Sequence, residues 1–264
     1  MTEETFWDLI DELDGVIDDD SVDALGEQLS ALPPEDVESF CAHLAAKIGA
    51  LAELPLAGSP IPDITDAGHA PLPLSGDAHE NLLYAMVAAG RARYESALAT
   101  PSAVEESEWD AAEAELLIDL AATTLWESAG LDWYDELDPL RTPSPHDEGW
   151  WETFRGSAGK SIPAAYLTAA RELDQKLNRS AEWLAWWRQT SLRKIKVGIT
   201  VNADNNHHRI ERGRNIARAQ FTMDRSHLTD RSPNALRNLA SEEITRITTA
   251  IATEFQMTPP PALP

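Results

Sequence analysis

Through most of this chain the apolar residues return every three or four positions, and only beyond Lys194 do they return every two. Side chains share a face every 3.6 residues on a helix and every two on a strand, so this switch limits what each part can bury. The fold class it implies is mainly α: a helical N-terminal domain followed by a smaller α+β C-terminal region with an antiparallel β-hairpin.

Phe6, Leu9, Ile10 and Leu13 predict a short helix over 3–13, ended by Gly15. Asp18-Asp19-Asp20-Ser21 supplies capping oxygens and negative charge for a second helix over 22–32. The run lacks the glycine and glutamate of a calcium loop, so capping is its reading. Pro33 and Pro34 open a third helix, with Val37, Phe40, Cys41, Leu44, Ile48 and Leu51 as its stripe. On that stripe Cys41 reads as a small buried thiol. Residues 54–77 hold Pro55, Pro60, Pro62, Pro71 and Pro73 and read as an extended proline-rich loop. Helices over 78–99 and 105–128 follow. Gly90 sits on the apolar side of the first, where a neighbour must come close, and Gly130 ends the second.

In the C-terminal part, helices are predicted over 163–177 and 181–189. Trp183, Trp186 and Trp187 share one face of the latter, a pattern that belongs to a core before it belongs to a ligand platform. KIKVGITV, residues 194–201, reads as a strand, and residues 216–223 read as its hairpin partner across an exposed basic loop. Pro233 opens a last helix to about Phe255. The tail MTPPPALP cannot be helical and is expected to lie as polyproline II on the surface.

Charge divides the chain as well. Residues 1–150 hold four basic side chains, Lys47, Arg91, Arg93 and Arg141, against 34 acidic ones, a net of −30. The remaining 17 basic and 11 acidic groups give +6, for −24 in all. The sign changes inside a second Pro/Gly/Ser-rich break. We therefore expect an acidic helical domain over 1–138, a linker over 139–160 and a basic α+β region over 161–264 ending in the proline-rich tail. No apolar run approaches the roughly 20 residues that cross a bilayer, so no membrane association is expected. An acidic N-terminus without an apolar core segment and a lone cysteine point to the cytoplasm.

Several ordered segments carry a resemblance. FWDLIDEL (Phe6–Leu13), SALPPEDVESFCAHL (Ser30–Leu44), SGDAHENLLYAMVAAGRARYESALATPSAV (Ser75–Val104) and WDAAEAELLIDLAATTLWESAG (Trp109–Gly130) together resemble the bacterial family catalogued as domain of unknown function 4240. The resemblance covers about the first half of the chain. It departs between Gly49 and Asp77, where the proline loop and Ser75-Gly76-Asp77 replace the family's aromatic-rich helix and Ser-Asp-Asp segment. It implies a mainly helical bacterial domain with no established reaction.

Candidate chemistry is sparse. Gly156-Ser157-Ala158-Gly159-Lys160-Ser161 ends like a phosphate-binding loop, but Phe154 stands where that motif needs a glycine. His207 and His208, with Asp204 nearby and His227 further on, could suggest a metal, yet adjacent residues of an extended chain point opposite ways. We expect no cofactor, no metal and no catalytic residues. The strongest constellation is basic: Arg193, Lys194, Lys196, Arg209, Arg212, Arg214 and Arg218 are the candidate polyanion-binding residues, within a net +7 between 188 and 237. The expected function is a non-enzymatic binding or regulatory module acting through contacts with another protein. The alternative is nucleic-acid or other polyanion binding by the basic hairpin over 188–237, with an enzyme of unknown chemistry a weaker third.

Overall fold

A computed structural model describes residues 1–56, 60–65, 71–73, 76–104, 109–140, 149–155, 162–202, 208–228 and 231–264. They divide into two compact units, Met1–Thr142 and Pro143–Pro264. The fold is mainly α, with one small four-stranded mixed sheet in the second unit.

The first unit opens with α1 (Glu3–Ile10), continued by a 3-10 turn over Asp11–Leu13. In α2 (Asp19–Ser30) a reciprocal capping box replaces bulk hydration of the first turn: Asp18 accepts from the Ser21 amide at 2.8 Å, and the Ser21 hydroxyl accepts from the Asp18 amide at 3.0 Å. The aspartate run is a cap, as its spacing implied. Next come α3 (Pro34–Ala52), α4 (Gly76–Ala88), α5 (Arg91–Ala99), α6 (Glu115–Ala129) and the single turn α7 (Trp133–Glu136).

The centre of this unit is α3 packed on α6, with α2 and α4 also against α6. Phe6, Phe40, Leu44, Ile48, Leu83, Leu117 and Leu125 are fully buried there. Truncating any one of these leucines to alanine costs on the order of 2–5 kcal/mol. Among the described residues of this unit, the basic side chains are used internally. Lys47 pairs with Glu3 and lies 5.5 Å from the ring centres of Trp7 and Tyr94, Arg91 pairs with Glu4 and Glu95, and Arg93 stacks 4.3 Å over Trp109.

Three expectations change here. The helix predicted over 78–99 is two helices, because Gly90 at φ +85° breaks the ladder; a Cβ there would sit 2.9 Å from Asp11 Oδ1. The helix predicted from 105 begins at Glu115, while Trp109 turns back to donate to the Val104 carbonyl at 3.0 Å. The proline-rich loop over 54–77 contains a two-stranded antiparallel ribbon, β1 (Pro60–Thr65) and β2 (Pro71–Pro73). Prolines are tolerated there because both strands of an isolated pair are edges. Gly130, at φ +66°, ends α6 as expected.

The second unit runs β3 (Trp151–Arg155), α8 (Ala164–Arg179), α9 (Ala181–Trp187), β4 (Lys194–Asn202), β5 (His208–Arg212), β6 (Ile216–Asp224) and α10 (Pro233–Glu254). The strand order is β3-β4-β6-β5. β3, α8, α9 and β4 form a crossover unit with β3 and β4 parallel. The strands predicted over 194–201 and 216–223 are both present, but they are parallel neighbours and not a hairpin. The hairpin is made by β5 and β6, which are antiparallel and joined through Arg214-Asn215. β5 escaped the sequence reading because His208-Arg209-Ile210-Glu211-Arg212 offers one apolar residue in five. An edge strand needs no more.

Trp151, Ile195, Val197, Ile199, Ala217, Ala219 and Phe221 share one sheet face, against which α8 and α10 pack. The opposite face carries a row in register across all four strands: Glu152, Lys196, Arg218 and Glu211. Part of the expected linker over 139–160 therefore belongs to this unit, since Trp150 and Trp151 are in its core. A tryptophan pair that buried is too costly to leave in a linker.

Candidate functional site

α9 is short, and its start is set by Ser180, whose hydroxyl accepts from the Trp183 amide at 3.4 Å. Its spacing places Trp183, Trp186 and Trp187 on one side, where all three are buried with Trp150. Trp150 stacks on Trp187 at 5.5 Å between centroids, and Trp183 meets Trp186 edge-on at 5.4 Å. To this extent the stripe is core. What its spacing does not reveal is the cover.

α10 ends in a left-handed residue, Gln256 at φ +55°. The Met257 amide bonds back to the Ala252 carbonyl at 2.8 Å and the Gln256 amide to that of Thr253 at 3.3 Å, the pairing of a Schellman motif. This turn sends the proline-rich segment 257–264 along α9. The Trp186 indole donates to the Thr258 carbonyl at 2.8 Å, and the Trp183 indole to the Ala262 carbonyl at 3.2 Å. Gln189 grips Thr258 twice, accepting from its amide at 2.9 Å and donating to its hydroxyl at 2.8 Å. Later residues of the segment meet earlier residues of the helix, so the two run antiparallel. Met257 and Leu263 pack on the tryptophan core.

The arrangement sets indole donors against the backbone carbonyls of a proline-rich chain. A proline-rich chain makes no internal hydrogen bonds, and its carbonyls stand ready for outside donors. Buried indoles need acceptors for their single N–H, and their faces bury proline rings. Trp183 and Trp186 supply such donors along one side of α9, and Gln189, just beyond its end, holds the Thr258 amide and hydroxyl. The Trp187 Nε1 is buried without a partner among the described residues.

The basic candidates separate into two groups. Lys194 is buried, its ammonium 2.5 Å from Glu152, so it is held inside the sheet and not offered to a polyanion. Lys196 and Arg218 are half-buried in the row that ends at Glu152 and Glu211. The exposed candidates are Arg193, Arg209, Arg212 and Arg214. Three of these converge: the Arg193 amide bonds to the Asn215 carbonyl at 2.6 Å, and Arg212 reaches Ser191 at 3.1 Å, so Arg193, Arg212 and Arg214 lie around the β5–β6 turn. Arg209 lies further along β5 and pairs with Glu211 at 2.5 Å. The segment Gly156–Ser161 and the residues Asp204 and His207 lie outside the described residues.

Two described carboxyls of this unit are perturbed: hydrogen bonds from Ser226 lower Asp224, and Asp174 is raised. Burial raises Asp174 to about 6, although it accepts from the Trp151 indole at 2.9 Å, the Thr153 hydroxyl at 2.6 Å and the Thr153 amide at 3.2 Å. Those partners lock α8 to β3. Gln189, Asn178 and Asp174 were not legible as functional or structural anchors, since single polar residues carry no periodic pattern.

Residues 1–128 match the model of a family described as a protein of unknown function, DUF4240. That is the half in which the ordered helical segments carry the resemblance. No curated protein and no solved structure matches the chain.

Proposed function

We propose that this is a cytoplasmic bacterial binding module that acts through contacts with another protein, and that the tryptophan side of α9 is where a proline-rich segment is received. The observation that carries the reading is the pair of indole bonds from Trp183 and Trp186 to the backbone carbonyls of Ala262 and Thr258. Backbone carbonyls are present in any proline-rich chain, so the donors read the conformation and not the side chains. In this arrangement the protein's own segment occupies the site, and a partner bearing a similar segment competes with it. Local concentration favours the internal ligand, so exchange is tuned by how well the segment is held.

The test uses the full chain with Pro259, Pro260 and Pro261 changed to serine, which weakens the internal ligand. A peptide of sequence MTPPPALP is then titrated while tryptophan fluorescence is followed. Saturable binding is expected, weakened at least about tenfold when Trp186→Phe removes one donor. No saturable change in the serine variant defeats the proposal.

A second reading is favoured by the convergence of Arg193, Arg212 and Arg214 at the hairpin turn. Under it the turn contacts phosphates of a nucleic acid. Binding to a labelled oligonucleotide would then fall steeply with salt and lose about one counterion of slope for each arginine removed.

A further inference from the structure

The two edges of the second unit's sheet are treated differently. On β3 three backbone groups of the outer edge are taken by side chains: Asn178 bonds both the amide and the carbonyl of Trp151, and Asp174 takes the Thr153 amide. On β5, among the described residues, no further strand follows in the sheet order, and His208, Arg209 and Arg212 are exposed.

The direction of the β5 backbone follows from its hairpin. The Gly213 amide donates to the Ile216 carbonyl at 2.9 Å, which makes Gly213 and Ile216 a hydrogen-bonded pair. Alternation along the ladder then turns Arg209 and Glu211 towards β6, opposite Gln220 and Arg218. The amides and carbonyls of His208, Ile210 and Arg212 therefore point outward.

We propose that this edge pairs with the same edge of a second copy of the chain, antiparallel and about a two-fold axis at Ile210. The sequence of the strand is what selects this occupant. Its middle three residues, Arg209-Ile210-Glu211, are complementary to themselves in reverse: centred on Ile210, Arg209 of one copy faces Glu211 of the other, and Glu211 faces Arg209, with His208 and Arg212 flanking them. The register is also the one the backbone requires, because Ile210 opposite Ile210, and His208 opposite Arg212, bring outward-pointing residues together as hydrogen-bonded pairs. Arg209 and Glu211 then form the non-hydrogen-bonded pairs, whose side chains stand closest. A two-fold axis along the sheet normal keeps each face on its own side, so the two sheets continue as one of eight strands.

Arg209 is available for this. Its side chain is 79% exposed, and its present partner, Glu211, lies on the same strand face. In the pair of copies these four charges alternate in sign along the seam. The interface is short, below the area of a standard protein–protein contact, so the association is concentration-dependent and not obligate. It is independent of the α9 reading.

The experiment is sedimentation velocity on the full chain at physiological salt, from about 5 μM to about 1 mM. A shift from monomer to dimer across this range is expected. Arg209→Glu sets like charges against Glu211 twice and is expected to weaken association at least tenfold. Ile210→Pro removes an outward amide while leaving the β5–β6 ladder intact, and is expected to abolish it. Should that variant not fold, Arg209→Glu still decides, since the side chain it replaces is exposed. As an independent readout, Ile210→Cys is expected to form a disulfide-linked dimer under mild oxidation, whereas Gln220→Cys, exposed on the neighbouring strand, does not. A single monomeric species at every concentration overturns the proposal. So does a dimer that Arg209→Glu leaves unchanged, or equal cross-linking by both cysteines.

Discussion

Asn178 closes the backbone of Trp151 as a neighbouring strand would, donating to its carbonyl at 2.7 Å and accepting from its amide at 2.9 Å. A side-chain amide has the donor and acceptor spacing of a peptide unit, so one residue at the end of α8 finishes the edge of β3. Gly149 makes room for it; a Cβ at that position would overlap the Asn178 amide. Asn178→Ala is expected to cost about 2 kcal/mol, from two lost bonds at about 1 kcal/mol each. Asn178→Asp keeps the shape but sets a carboxylate oxygen against the Trp151 carbonyl, and should cost at least as much. Gly149→Ala should reproduce the defect without touching Asn178. Urea midpoints followed by tryptophan fluorescence check all three, and a midpoint unmoved by Gly149→Ala contradicts the account.

Asp174 gives the second unit a defined pH dependence. Its folded value of about 6 lies above the ordinary 3.8, because burial disfavours the charged form. The folded state thus holds this proton more tightly than the unfolded chain. The group's contribution is fully present below about 3.8, falls as pH rises to about 6, and is level above it. The span corresponds to as much as about 3 kcal/mol. Asn at 174 cannot titrate, so the stability difference between wild type and Asp174→Asn should change across this window and be flat above about pH 7. A difference independent of pH between 4 and 7 contradicts the assignment.

Cys41 tests the first unit separately. Its thiol is fully buried, donates to the Ala121 carbonyl at 3.7 Å and is pushed up to about 12 by burial. The thiolate is the reactive form, so labelling must wait for α3 and α6 to part. A disulfide reagent at pH 8 is expected to modify native protein at least about a thousandfold more slowly than protein in urea, because opening of a stable core is that rare. Labelling at similar rates in both conditions would show that the α3–α6 contact is loose.

Much of the first unit was legible because its helices carry their own boundaries. Asp18 with Ser21, Pro34 and Gly130 each act within a few residues of where they stand, and the 3.6-residue stripes name the core. Where helices broke instead, the cause was distant: Gly90 is forced by Asp11, some 80 positions earlier. In the second unit the alternation of Ile195, Val197 and Ile199 fixed a strand but not its partner. Parallel and antiparallel pairing bury the same faces, and the decision rested on β5, whose polar sequence hides an edge strand. The α9 face is the sharpest case. The tryptophans and the prolines were each visible, yet nothing local says that an indole at 183 meets a carbonyl 79 residues away.

That meeting depends on the turn at Gln256. A non-glycine residue at φ +55° pays a left-handed penalty of about 1 kcal/mol, and the Schellman bonds from Met257 and Gln256 show that the position is nonetheless fixed. Gln256→Gly removes the penalty while loosening the unfolded chain, two effects of opposite sign, so the net stabilisation should not exceed about 1 kcal/mol. Gln256→Val adds β-branching at the same backbone angles and should weaken the turn by about 1 kcal/mol or more. Because segment 257–264 is launched from here, the two variants should also shift occupancy of the α9 face in opposite directions. Glycine should slow hydrogen exchange of the Trp183 and Trp186 indoles and valine should speed it, since those protons are bonded only while the segment is seated. Indole exchange that follows neither variant, while global stability does, would mean that the segment's grip on α9 is set elsewhere than at this turn.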